Sequence, residues 1–185
     1  MKKYIHLVVL LLIHSQLLLA QQYYSKTGKI TFISKAPLET IEAKNTSANI
    51  IVDAATGKIE AAVLIKGFQF EKALMQDHFN ENYLESHKYP KAMFKGVITN
   101  FRAVNFEKEG TYKAELNGSL TLHGVTKPVT TSGTLTVKGG NVSVASTFDI
   151  TVADYNIEIP KVVRDNISKT VNVRVAADLL KLATK

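Results

Sequence analysis

Residues 118–137, GSLTLHGVTKPVTTSGTLTV, decide the fold class of this chain. They contain two runs in which apolar and polar residues alternate, joined by a turn that contains glycine and proline. One face of this pair carries the apolar side chains Leu120, Leu122, Val129, Leu135 and Val137. The other face, from Ser119 to Thr136, carries hydroxyl groups. Strict alternation of this kind predicts a half-buried antiparallel hairpin.

The same two-residue period continues on both sides of this hairpin. It predicts extended segments over 29–34, 38–44, 49–52, 59–65, 92–101, 111–122, 129–137, 142–150 and 170–179. Gly57 and the run Lys138-Gly139-Gly140-Asn141 supply turn residues between neighbouring segments. About eight or nine strands with short connections favour an all-β fold, either a closed antiparallel barrel or a sandwich. Nothing in residues 21–185 reads as a linker, so we expect one domain there.

One stretch departs from the strand period. Between Phe70 and Leu84 the apolar residues recur at roughly helical spacing, and polar residues fill much of the rest. The pair Tyr89-Pro90 then stops any helix, because proline disfavours helical backbone in the residue before it. We therefore expect one short helix or helical loop in an otherwise β-rich chain.

The first twenty residues predict export. Lys2 and Lys3 precede an apolar run that ends at Ala20, which is the pattern of a cleaved signal peptide, so we expect a periplasmic or secreted protein. The chain has no cysteine and a formal net charge of +7. The span 86–104 carries Lys88, Lys91 and Lys95 and no acid. This basic span favours transient contact with an anionic membrane surface, whereas an exported chain without an extended basic stripe is not expected to bind nucleic acid.

Signals of catalysis or metal binding are lacking in the sequence. His78 and His87 are nine residues apart, which is not an established ligand spacing, and there is no cysteine to complete a site. No nucleophile motif or paired carboxylates suggest a reaction. We expect His123 to make a hydrogen bond within the hairpin turn. The prediction is a protein that is not an enzyme, with no catalytic residue, metal or cofactor.

Two features leave the interior open to two interpretations. Small residues occupy inward positions, at Ala61, Ala114, Gly118, Gly133 and Ala177, so the barrel is either packed by complementary large side chains or holds a cavity. Aromatic residues cluster around the predicted helix, and they either cap one end of the core or line the mouth of an apolar pocket. They are Phe68, Phe70, Phe79, Tyr83, Tyr89 and Phe94.

Three stretches of the chain resemble the YceI-like family. MQDHFNENYLESHKYPKAMFK, residues 75–95, is similar to the family's helix and Y-P segment, and residues 118–129 closely match its glycine-rich hairpin turn. FDITVADYNIEIP, residues 148–160, resembles the family's closing element, with Asn156 where glycine is usual. The family consists of secreted lipocalin-like barrels that bind polyisoprenoid lipids.

The resemblance implies a closed antiparallel lipocalin-like barrel of about eight strands, with the short helix over one mouth. It also implies an internal tunnel that holds an isoprenoid or another long apolar lipid. The alternative is a filled-core structural or stress-linked envelope protein that binds a protein partner; the sequence leaves the oligomeric state open. The predicted lipid-binding residues are Phe68, Phe70, Leu74, His78, Phe79, Tyr83, Phe94, Tyr112, Leu116, Leu120, Leu135, Phe148 and Tyr155.

Overall fold

A nine-stranded antiparallel sheet dominates the computed structural model, which describes residues 21–182. The signal peptide predicted for residues 1–20 lies outside the described residues. The strands are β1 (Gln22–Lys35), β2 (Thr40–Asp53), β3 (Lys58–Leu64), β4 (Gln69–Phe70), β5 (Lys91–Ile98), β6 (Gly110–Leu122), β7 (Val125–Lys138), β8 (Asn141–Thr151) and β9 (Thr170–Lys181).

Strand β1 closes the sheet into a barrel, because it pairs with β9 on one side and with β2 on the other. The order around the barrel is β1-β9-β8-β7-β6-β5-β3-β2, and the two-residue β4 pairs with β2 beyond the end of β3. Eight strands therefore form the wall, as predicted. In the hairpin of residues 118–137, outward hydroxyl groups form cross-strand pairs, such as Thr121 Oγ1 with Thr126 Oγ1 at 2.8 Å.

The predicted helix is present but short. Helix α1 (Ala73–His78) continues into a π-helical turn (Phe79–Tyr83), in which the Leu84 amide donates to the Phe79 carbonyl at 2.9 Å. Short 3₁₀ turns lie at Ile65–Gly67, Phe101–Ala103, Val152–Tyr155 and Lys161–Val163. Across residues 21–182, no helix has the length and hydrophobicity needed to cross a membrane.

The two ends of the barrel differ. The helix end carries α1, the turn between β6 and β7, and the connection between β8 and β9. The opposite end is filled by the largest core cluster, in which the rings of Tyr23 and Phe106 stack at 5.2 Å between centroids. Val104, Ile98 and Val137 are also buried in this cluster. We call this the closed end, because buried side chains of this cluster pack the interior there.

Complementary packing, one of the two interpretations of the small inward residues, applies to Gly118. It lies opposite Gly96 in the pairing of β5 with β6, and a Cβ atom there would come within 2.4 Å of the Lys95 carbonyl oxygen. The Phe94 ring covers both glycines, with Cζ 2.7 Å from the ideal Cβ position on Gly118. An aromatic ring thus fills the space that the two missing side chains leave.

Asn156 stands where the resemblance noted in the sequence leads us to expect glycine, and its backbone conformation explains that expectation. Its φ and ψ angles are 56° and 30°, in the left-handed region. Glycine adopts this conformation without steric cost, and asparagine is among the few other residues that adopt it readily. The substitution therefore preserves the local turn that follows Tyr155.

Candidate functional site

An internal cavity of about 490 Å³ lies between the closed end and the helix end of the barrel. Its wall is formed by inward side chains of the barrel strands, by α1 and by the connection before β9. Among the described residues that line it, Glu39 is the only carboxylate and there is no lysine or arginine. A cavity of this size with a hydrocarbon wall has the dimensions and character of a small-molecule binding site.

Ten of the thirteen predicted lipid-binding residues line this cavity. The strands contribute Phe70, Phe94, Leu116, Leu120, Leu135 and Phe148, and the helix end contributes Phe68, His78, Phe79 and Tyr83. The structure therefore brings these residues together around one space, as expected from the alternation of the strands and the spacing of the helix.

The other three predicted residues lie outside the cavity wall. Leu74 points away from the barrel and is 65% exposed, because a helix of only six residues presents one short face to the interior. The Tyr112 hydroxyl donates to the Lys108 carbonyl at 2.8 Å, and the ring packs against the core of the closed end. Tyr155 is buried against Ile65 and Leu84 behind the cavity wall. These three residues therefore lie apart from the ten that line the cavity, and their part in lipid binding stays a prediction.

A cluster of four phenylalanines covers the cavity beside α1. The Phe79 ring lies 5.3 Å from that of Phe32, 5.7 Å from that of Phe68 and 5.0 Å from that of Phe70. Such edge-to-face and offset contacts stabilise aromatic packing beyond the area that they bury. Phe32 was missed as a site residue, although its alternation with Ile30 and Ser34 in the sequence places it on the inward face of β1.

Three cavity-lining residues at the helix end, Glu39, His78 and Asn166, come from the β1–β2 turn, α1 and the connection before β9, and we call this side of the cavity the mouth. Glu39 Oε1 accepts a hydrogen bond from Lys72 Nζ at 3.0 Å, and Glu39 Oε2 accepts one from Asn166 Nδ2 at 3.4 Å. The bond from Lys72 lowers the pKa of the Glu39 carboxyl below its ordinary value. This ionised side chain therefore connects all three segments of the mouth.

Sequence reasoning also missed the part of the wall that follows β8. Ile159, Val163 and Ile167 line the cavity from the connection between β8 and β9. The spacing of these apolar residues follows no strand period, so only their hydrophobicity marked them in the sequence. A hydrogen bond from the Leu38 amide to the Asp165 carbonyl at 2.9 Å holds this connection against the β1–β2 turn.

His123 joins the three stretches that carried the family resemblance. Its Nδ1 lies 3.0 Å from the Tyr155 carbonyl oxygen and its Nε2 lies 2.8 Å from Glu85 Oε2. The Tyr89 ring packs edge-on against the imidazole at 4.7 Å between centroids. The prediction of a hydrogen bond within the turn is wrong, because both ring nitrogens contact residues from distant parts of the chain. With φ values of 49° and 75°, His123 and Gly124 form a tight hairpin turn that directs the ring inward.

Stability at acid pH should depend on Glu85. The hydrogen bond with His123 lowers the pKa of the Glu85 carboxyl in the folded protein. A lowered folded-state pKa contributes stability that is present above the unfolded-state pKa and is lost as the pH falls through the folded-state pKa. We expect wild type to unfold at higher denaturant concentration than Glu85→Gln at pH 7, and this difference should shrink as the pH falls below about 4.5.

Denaturant titrations between pH 3 and 7 measure this difference. Glu81→Gln, which replaces an exposed carboxylate in the π-helical turn that precedes Glu85, is the control and should follow the wild-type pH profile. A constant difference between wild type and Glu85→Gln over this range would contradict the role assigned to the pair.

The basic span of residues 86–104 is divided between the helix end and the side of the barrel. Lys88 lies 4.0 Å from Glu85 and over the Tyr89 ring, while Lys91 and Lys95 are exposed on β5. Lys95 pairs with Glu60 and Ser119 in the sheet register, along the outer wall of the barrel. Lys95 therefore lies on the side of the barrel, whereas Lys88 and Lys91 lie at its helix end, and contact of this span with a membrane stays a prediction.

Comparison with known proteins gives one family. The family model of the YceI-like domain matches residues 24–179, which is most of the chain and includes all eight wall strands in whole or in part. A search of curated protein sequences gives no match.

Solved structures with the same fold include a polyisoprenoid-binding domain from Saccharophagus degradans, with a TM-score of 0.77 and 14% identity over 88% of this chain and 99% of that one. BcnA from Burkholderia cenocepacia gives a TM-score of 0.67 and 19% identity over 83% of this chain and 96% of that one. The YceI protein of Campylobacter jejuni gives a TM-score of 0.55 and 19% identity over 75% of this chain and 81% of that one. At these identities the likeness shows the barrel fold alone.

Proposed function

The chain belongs to the YceI-like family, and on that premise we propose that its barrel holds one long apolar lipid chain, such as an isoprenoid, and performs no reaction on it. The cavity of about 490 Å³ carries this proposal. Its hydrocarbon wall suits a tail without polar groups, and the relative from Saccharophagus degradans is described as polyisoprenoid-binding. The ten cavity-lining residues named above are the proposed contacts.

Energetics favour a carrier over a permanent store. Burying an apolar tail from water stabilises a complex by about 0.8 kcal/mol per methylene. A tail drawn from a membrane gains almost none of this, because it passes from one apolar phase to another. Exchange with membranes is therefore close to balanced, which is what reversible delivery requires. This role fits the predicted export of the chain to the periplasm or the exterior.

The alternative, a filled-core envelope protein that binds only a protein partner, is disfavoured by the open interior. A filled barrel packs its inward side chains at the density of an organic crystal and leaves few voids larger than a water molecule. A space of about 490 Å³ is far larger than that. The small residues Ala61 and Ala114 line this space, where larger side chains would close it.

Native mass spectrometry of protein purified from its own cell envelope tests the proposal. We expect a population carrying one additional apolar molecule, which lipid extraction then recovers chemically unchanged. The control is protein that has been unfolded, stripped of lipid and refolded, which should have the apo mass and bind a fluorescent prenyl probe. An apo mass from the native source, together with no probe binding by refolded protein, would refute the proposal.

A further inference from the structure

A buried hydroxyl group adjoins the mouth of the cavity. Ser34 lines the cavity from the end of β1, and its side chain is only 3% exposed. Its Oγ accepts a hydrogen bond at 2.8 Å from the amide of Ser168, which lies two residues after Asn166 of the mouth. Because the hydroxyl is the acceptor in that bond, it keeps its own proton to donate. The cavity therefore has a hydrogen-bond donor close to its mouth.

The Glu39 carboxylate supplies acceptors at the mouth. One of its oxygens accepts a hydrogen bond from Lys72 Nζ at 3.0 Å, and the other accepts one from Asn166 Nδ2 at 3.4 Å. An ionised carboxylate has about four lone-pair sites, so each oxygen can accept from a further donor. The two existing bonds hold the carboxylate in place at the edge of the cavity. A ligand with a hydroxyl or amide N–H group therefore finds a fixed acceptor there.

Charge at the mouth disfavours a second anion. Among the described residues of the cavity wall there is no lysine or arginine. Lys72 is bonded to Glu39, but it lies outside this wall and its side chain is 64% exposed, whereas that of Glu39 is 25% exposed. A charge that faces water is screened more strongly than one that is partly buried. An anionic group at the mouth therefore meets a repulsive carboxylate and gives up hydration without gaining a partner ion from the wall.

We propose that the mouth binds the head group of the lipid and selects an uncharged group that forms hydrogen bonds, an alcohol or an amide, over a phosphate. This inference rests on the proposed lipid cargo and adds the chemical class of its head group. Ser34 supplies the donor, and Glu39 supplies both the acceptor and the charge that repels an anion. The selection applies to a lipid whose tail ends within the cavity, because a longer tail carries its head group beyond the mouth.

Three probes with the same short farnesyl tail test the proposal. They are farnesol, farnesyl phosphate and the hydrocarbon farnesene, and their affinities follow from displacement of a fluorescent prenyl probe. Measurement at pH 8 avoids a positive charge on histidine side chains. The readout is the ratio of the farnesol and farnesyl phosphate affinities in each variant, because the phosphate is in any case more soluble in water. Farnesene has no head group and reports on binding of the tail alone.

The charge of Glu39 should set this ratio. Glu39→Gln keeps the shape of the side chain and should lower the preference for farnesol by about tenfold, mainly through tighter binding of the phosphate. Lys72→Met should raise the same preference, because it leaves the Glu39 charge without its partner. Glu71→Gln is the matched control, since Glu71 is an exposed carboxylate next to Lys72 and lies outside the cavity wall. It should bind all three probes like wild type.

Ser34→Ala tests the donor. Loss of one hydrogen bond should weaken binding of farnesol about fivefold. Binding of farnesene should stay as in wild type, which also shows that the variant has folded. A Ser34→Ala protein that binds farnesol like wild type would remove Ser34 from the proposed site.

The three probes separate this inference from the proposed function. An unchanged ratio in Glu39→Gln, or the same change in Glu39→Gln and Glu71→Gln, would overturn selection of the head group at the mouth while the lipid cargo stands. If wild type binds none of the three probes, the proposed lipid cargo fails and this inference fails with it.

Discussion

Two phenylalanines in place of Val144 and Val173 should weaken binding of a prenyl probe by about 100-fold or more. Both valines line the cavity and are only half-buried, so the larger rings project into its open space. We expect the rings to keep about four methylenes of the probe's tail out of the cavity. At about 0.8 kcal/mol for each buried methylene, the binding free energy falls by about 3 kcal/mol, which is roughly two orders of magnitude in affinity. The free energy of unfolding should change by less than about 1.5 kcal/mol, because the rings enter existing space.

Probe titration and chemical denaturation of the same preparation measure both quantities. The matched control places phenylalanine at Thr147 and Arg174, which face each other across β8 and β9 on the exposed outer surface. That variant should bind the probe like wild type. Unchanged affinity in the Val144 and Val173 variant would show that the tail is held elsewhere.

Phe79→Ala should lower the free energy of unfolding by about 3 kcal/mol, the lower end of the range for removing a buried phenylalanine side chain. The lower end applies because Phe79 is half-buried, although its ring contacts three other phenylalanines. Loss of this ring also opens the cover of the cavity beside α1. We therefore expect the bound prenyl probe to dissociate about tenfold faster than from wild type.

Urea denaturation and stopped-flow displacement of the probe test these two effects. Leu74→Ala is the control on the same helix, because Leu74 is largely exposed and lies outside the cavity wall. It should leave both the stability and the dissociation rate in solution near wild type. A Phe79→Ala protein with wild-type dissociation would mean that the aromatic cluster supports the fold but does not retain the lipid.

The strands and the helix were predictable because their signals are local. Alternation between Gly118 and Val137 needs no distant partner to be recognised, and the change to helical spacing after Phe70 is equally local. The turns at Gly57 and at Gly139-Gly140 follow from the φ angles that glycine permits, and the structure places all three residues at positive φ. These features, with the family resemblance, were sufficient to predict the eight-stranded barrel.

The mouth could not be predicted, because its contacts join positions far apart in the chain. Glu39 contacts Asn166, which is 127 residues away in the chain. Outside the mouth the same is true of His123, which contacts Glu85 from 38 residues away. Neither contact leaves a spacing pattern that periodicity detects. For Leu74 a local signal was misleading. Its helical spacing predicted a position on the apolar face, but in the short helix its side chain is largely exposed to solvent.

The stacked Tyr23 and Phe106 rings have a consequence for the length of the cargo. They belong to the core that fills the closed end, so on the proposed function we expect a tail to enter and leave at the helix end. Strand β6 lines the cavity from Ala114 to Leu122, which corresponds to a depth of about 20 Å once strand tilt is allowed for. On the proposed function, isoprenoid units beyond that depth stay outside the barrel. Lipids that share the same terminal segment are then expected to bind with similar affinity whatever their total length. Selectivity on this view depends on the end of the tail.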